Sequence, residues 1–119
     1  LANPLTAEFG IVHGQAIGLM LPHVIRFNGE AFPDWYSELS DSLHGLNGFP
    51  SFERTAAGLA DYIASLVKVA DLPQSLSACG VTRESLPKLA AGAAKQWTGT
   101  FNPRQVGEEE LLRLYEHAF

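Results

Sequence analysis

The sequence predicts an all-α domain, and three observations predict it. Apolar residues recur at three- and four-residue spacing in several separate stretches, and no stretch shows sustained period-two alternation. Glycine, asparagine or proline punctuates each stretch where a helix would end. The 119 residues are 46% hydrophobic and 18% charged, which suits a single globular helical domain over residues 1–119. There is no internal repeat or low-complexity tract.

The first helix is expected from Val12 to Phe27, apolar on nearly every side, with Asn28-Gly29 as its stop signal. Pro22 inside it should kink or divide it. A second helix is expected from Pro33 to Leu43, with Pro33 in its first turn and Trp35, Leu39 and Leu43 on one face. Gly45, Asn47, Gly48 and Pro50 then mark a loop. The clearest amphipathic helix lies between Ser51 and Ala70. Phe52, Ala56, Leu59, Ile63, Leu66, Val67 and Ala70 keep helical spacing, and Ser51 is the expected N-cap. Leu72-Pro73 ends it, and Leu76 to Thr82 reads as a short connection. Ser85 is placed to cap a helix carrying Pro87 in its first turn, with Leu86, Leu89, Ala90, Ala93 and Ala94 as a small-residue face. Gly99 to Pro103 reads as a loop. In the last helix Val106 can staple onto Leu111, while Glu108, Glu109 and Glu110 complement the positive end of the dipole.

Composition narrows the function. A net charge of −5, with the 8 Lys and Arg scattered, argues against nucleic-acid and anionic-membrane surfaces. The apolar run near the N-terminus is broken by Gln15, Gly18, Pro22 and His23, too early for a membrane span. One cysteine, Cys79, excludes an internal disulfide and fits a reducing, cytoplasmic setting. The chain does not begin with methionine, and its first residues run directly into a buried-looking helix. It therefore reads as a piece excised from a longer protein.

Four histidines are the candidates for chemistry: His13, His23, His44 and His117. No HExxH, CxxC or EF-hand pattern is present. His13, flanked by Gly14 at the start of the apolar helix, reads either as a metal ligand or as a hydrogen-bonded core histidine. His23 lies ten residues on, about 15 Å along a helix, so the two cannot share an ion. It reads as structural, with a carbonyl freed near Pro22 as its partner. His117 sits favourably near a helix C-terminus. Gly10, Gly14 and Gly18 allow close approach of a neighbouring backbone or of a ligand. Trp97 reads either as part of a pocket or as a core anchor beside a loop. No glycine-rich loop joins a strand to a helix, so a dinucleotide fingerprint is missing.

Several blocks carry a resemblance. Asn3-Pro4-Leu5-Thr6-Ala7 with Gly10-Ile11-Val12-His13-Gly14, then Leu21-Pro22-His23-Val24-Ile25-Arg26-Phe27-Asn28, resemble the iron-containing alcohol dehydrogenases. So do Ser77 to Pro87 and the tail Thr98-Gly99-Thr100-Phe101-Asn102-Pro103-Arg104 with its acidic helix. Dehydroquinate synthases and glycerol dehydrogenases share the His-Gly block, but the Leu-Pro-His-Val and Asn-Pro-Arg blocks favour the alcohol dehydrogenases. The likeness spans essentially the whole chain. It implies a helical bundle, the C-terminal part of that family's metal-binding domain.

The resemblance implies an NAD(P)-linked oxidoreductase acting on an alcohol, or on an aldehyde or ketone in reverse. In that family one aspartate and three histidines hold a divalent ion, Fe2+ or sometimes Zn2+, and the last of those histidines corresponds to His13. The aspartate, the other histidines and the dinucleotide-binding α/β domain would all precede Leu1. Asn3 occupies the place near the nicotinamide where many members carry histidine, and an amide cannot relay protons. On the reading of the residues alone, Trp97 is the candidate for the substrate pocket. The implied partners are the N-terminal cofactor-binding domain, a small alcohol or carbonyl substrate, and a second copy in a homo-oligomer. By itself the chain is expected to be inactive and to hold neither ion nor NAD(P) tightly. The competing reading is a stand-alone helical binding or assembly module without catalysis.

Overall fold

Six helices, three short 3-10 turns and no strand make up the described residues, 1–44 and 51–119, of the computed structural model. The helices are α1 (Ala2–Phe9), α2 (His13–Ala31), α3 (Pro33–His44), α4 (Ala56–Val69), α5 (Leu86–Ala94) and α6 (Glu108–His117). The 3-10 turns cover Ser77–Cys79, Arg83–Ser85 and Trp97–Phe101. The expected loop at Gly45, Asn47, Gly48 and Pro50 lies outside the described residues. No helix among those described is long and apolar enough to cross a membrane.

Helix α1 has no counterpart in the sequence reading. It starts with Pro4 in its first turn, where a missing N–H costs nothing, and it buries Pro4 and Leu5. Gly10 closes it in the left-handed region at φ 66°, its N–H donating to the Thr6 carbonyl at 3.1 Å.

Helix α2 is the axis of the fold and packs against α1, α3, α4 and α6. It runs undivided through Pro22 and continues past the expected stop to Ala31. Asn28-Gly29 does not end it because both residues are engaged by tertiary neighbours. Asn28 is 3% exposed and hydrogen-bonded to Asn102. A Cβ on Gly29 would fall on the Cβ of Ala56, so this glycine lets α4 lie against α2.

Two apolar clusters flank this axis. The larger one joins Leu5, Leu19 and Met20 to Leu86, Leu89, Leu111, Leu114 and Tyr115. Tyr115 is fully buried, and its hydroxyl donates to the Leu1 carbonyl at 2.7 Å. The smaller cluster centres on Ile25, Leu59 and Ala60, with Tyr36, Leu43, Phe52 and Ile63 around it.

Several expected details are corrected. On α3 it is Ser40, Tyr36 and Leu43 that face inward, while Trp35 is 58% exposed and stacks on Phe32 at 4.6 Å. Leu39 is likewise exposed, so of the three residues expected on one face only Leu43 reaches the core. Helix α4 is capped by Thr55, whose Oγ1 accepts the Gly58 N–H at 3.1 Å, and not by Ser51. Ser85 precedes α5 but its hydroxyl donates to the Thr82 carbonyl at 2.6 Å, so it caps nothing. At α6 Glu110 reaches back to accept the Gly107 N–H at 2.9 Å, and Val106 packs against the cluster that holds Leu111.

Candidate active-site groove

His13 is the first residue of α2 and is exposed. It is not part of either apolar cluster of the described residues. At about 3.6 residues per turn, His13, Ile17, Met20, Leu21, Val24 and Phe27 share one side of α2. From Ile17 onward that side walls an open groove of about 810 Å³. Ala93 and Ala94 of α5 and the segment from Thr98 to Pro103 form the facing walls, with Leu111 and Leu114 of α6 beneath. Every side chain lining the groove is uncharged. His13 stands one helical turn, about 6 Å, beyond Ile17 at the end of this stripe.

The wall opposite α2 is a short irregular segment, and two clasps hold it in place. At one end Asn3 Nδ2 donates to Gln96 Oε1 at 2.9 Å, tying the first turn of α1 to the start of the segment. At the other, Asn28 and Asn102 exchange side-chain amide bonds of 2.9 and 2.8 Å. Asn102 also donates to the Arg104 carbonyl at 2.6 Å. The Arg104 guanidinium donates to the Phe27 carbonyl at 2.6 Å, pairs with Glu30 at 2.9 Å, and lies 3.8 Å over the Phe27 ring. The Phe27-Asn28 and Asn102-Pro103-Arg104 blocks, far apart in sequence, are thus two halves of one hydrogen-bonded joint.

Trp97 is 71% exposed, which excludes its reading as a core anchor. It does not itself line the groove, but its ring meets that of Phe101 edge-on at 5.6 Å, and Phe101 does. Sequence reasoning missed Asn28, Gln96, Phe101, Asn102 and Arg104. A signal existed in Asn28, an amide closing an otherwise apolar helical face, but alone it reads as a helix terminator.

His23 faces away from the groove, into a recess of about 200 Å³ with Gly18, Pro22, Arg26, Val67 and Gln74. Burial, then the charges of Arg26 and His117, pushes its pKa below the ordinary histidine value. Arg26 Nη1, not the imidazole, lies 3.5 Å from the Pro22 carbonyl, and the same guanidinium pairs with Asp61.

Among the described residues no group of three or more His, Cys, Asp or Glu side chains is placed to hold a metal ion. One imidazole is not an iron or zinc site, which needs about three or four protein ligands.

The family model described as Fe-containing alcohol dehydrogenase family, C-terminal, matches residues 1–119. Lactaldehyde reductase of Escherichia coli is 29% identical over the whole chain, which spans 31% of that relative. Sulfoacetaldehyde reductase of Bilophila wadsworthia is 34% identical over the whole chain, which spans 32% of it. Among solved structures, a 1,3-propanediol oxidoreductase superposes with a TM-score of 0.85 at 30% identity, over 99% of this chain and 31% of that one. The chain therefore spans about a third of the length of these relatives.

Proposed function

This chain belongs to the Fe-containing alcohol dehydrogenase family, as its C-terminal helical part, and from that premise we propose that it supplies the substrate groove and one metal ligand of an NAD(P)-linked dehydrogenase. The reaction converts an alcohol to an aldehyde or ketone. A bound nicotinamide would accept the carbinol hydrogen with its electron pair, while the hydroxyl proton would pass to solvent as the C=O bond formed. The observation that carries this reading is the position of His13, exposed at the end of a helical stripe that walls an uncharged groove.

His13 is the ligand this chain contributes. The other ligands and the cofactor-binding part lie outside residues 1–119, so the chain alone is inactive. His13 would hold the ion together with those other ligands, and the chemistry a bound ion would supply is polarisation of the substrate oxygen. Asn3, held against Gln96, presents an amide that can hydrogen-bond the nicotinamide or a water but cannot relay a proton. Trp97 stands behind Phe101 on the substrate side.

The test uses a protein that joins this chain to the upstream part its relatives possess. His13→Ala should remove most of the bound metal and nearly all nicotinamide reduction, with the helical circular dichroism unchanged. Retention of metal and turnover would refute the reading. Ferrous iron or zinc titrated into the 119-residue chain should bind weakly at best. Micromolar one-to-one binding abolished by His13→Ala would place a complete site within this chain and refute the shared one.

A further inference from the structure

We propose that the recess on the side of α2 away from the groove, where His23, Arg26 and Gln74 meet, binds a phosphate group, either free or carried by a small molecule. This site is separate from the groove and does not rest on the dehydrogenase reading.

The recess gathers donors that the fold leaves unused. Neither ring nitrogen of the half-buried His23 has a hydrogen-bond partner among the described residues. Near neutrality its ring is uncharged and offers one N–H. Arg26 brings a permanent charge and a fork of N–H donors. One Nη2 hydrogen goes to Asp61, and Nη1 reaches the Pro22 carbonyl only at 3.5 Å, beyond a normal hydrogen bond. The Asp61 pair is a surface one, 42% exposed at Arg26 and 73% at Asp61, so an incoming anion displaces it at little cost. The Gln74 amide supplies a third donor, again with no partner among the described residues. The connection that carries it is fixed on either side. The Leu72 N–H donates to the Val67 carbonyl at 3.1 Å, and the Leu76 N–H to the Ala118 carbonyl at 2.8 Å.

Size and shape select the anion. At about 200 Å³ the recess falls short of the roughly 300–1,000 Å³ of small-molecule pockets, so it takes one anionic head and not a whole metabolite. Gln74 is exposed at its rim, which leaves room for anything the head is attached to. No carboxylate lines the recess, and Gly18, Ala64 and Val67 bring no competing side-chain acceptor. Donors converge from α2 on one side and from the connection on the other. That arrangement suits a tetrahedral phosphate better than a planar carboxylate, which a single guanidinium satisfies in one plane. His117, whose charge reaches His23, adds a further basic group beside the site.

The experiment titrates inorganic phosphate into the 119-residue chain at neutral pH and constant ionic strength, followed by proton NMR of the histidine rings and by thermal unfolding. The His23 resonance, identified by its loss in His23→Gln, should shift saturably with a millimolar dissociation constant, while that of His13 stays. The melting temperature should rise with phosphate, since the ligand binds only the folded chain. Arg26→Gln should weaken binding about tenfold or more. Gln74→Ala, on an exposed connection, should weaken it about threefold and serves if the helix variant is perturbed. Asp61→Asn removes the competing carboxylate and should tighten binding by up to about fivefold. Glycerol 3-phosphate separates the two sources: tighter binding than phosphate identifies a phosphorylated small molecule, and equal or weaker binding identifies the free ion. Absence of a saturable His23 shift, an equal shift with acetate or chloride, or an affinity unchanged by both Arg26→Gln and Gln74→Ala would overturn the proposal.

Discussion

Replacing Gly29 by alanine should destabilise the fold even though it improves the helix. In an exposed helix interior, Gly→Ala stabilises by up to about 1 kcal/mol, because glycine loses the most backbone freedom. At Gly29 the added Cβ would fall on the Cβ of Ala56, with Ala56 Cα at 3.6 Å and Tyr36 Cδ2 at 3.7 Å close behind. Carbon atoms pack at about 3.5–4.0 Å, so α4 must back away from α2. Overpacking of this kind costs about 1–3 kcal/mol, and the smaller cluster around Ile25 and Leu59 loosens with it. The net loss is about 1–2 kcal/mol, or several degrees in Tm for a domain of this size. Thermal unfolding by circular dichroism measures it. Gly14→Ala is the control, since a Cβ there meets nothing within 4 Å and the same substitution should stabilise. The double variant Gly29→Ala/Ala56→Gly removes the colliding carbon and should recover most of the loss. A Gly29→Ala protein as stable as wild type, or a double variant no better than the single one, would refute close approach as the reason for glycine here.

Asn102→Ala leaves the 3%-exposed Asn28 amide without its side-chain partner and should cost about 1–3 kcal/mol in urea unfolding. Unchanged stability would count against the clasp. His23 predicts a pH dependence. Its folded pKa lies below the ordinary value of 6.5, so the unfolded chain binds the proton first as pH falls. Its stabilising contribution is thus complete above about pH 6.5 and is lost as acidity passes through the folded pKa. His23→Gln should flatten stability in that window, and a wild-type profile flat between neutrality and mild acid would refute the assignment.

The helical class and the inward faces of α5 and of the first half of α4 follow from the sequence by itself, whereas Leu66 and Ala70, expected on the same face of α4, are exposed. Apolar residues at Leu59 and Ile63, Leu86, Leu89 and Ala93, or Leu111, Leu114 and Tyr115 must share a face whatever lies opposite. The family likeness was equally legible, because its blocks are contiguous strings. His13 was visible as a candidate, but its exposure at the start of α2 appears only in the fold. Tertiary structure decided what depends on distant partners. Helix α1 has little periodicity of its own and is held by burial of Leu5 against the α5–α6 side. Asn28-Gly29 has the local chemistry of a stop, and it continues as helix because Asn102, 74 residues away, and Ala56 occupy the space where a turn would go. The outward face of Trp35 and the exposure of Trp97 likewise reflect which side of each element met the core. Backbone propensity and periodicity act within a few residues, whereas a clasp, a close approach and a groove each require two segments brought together only after the chain has folded.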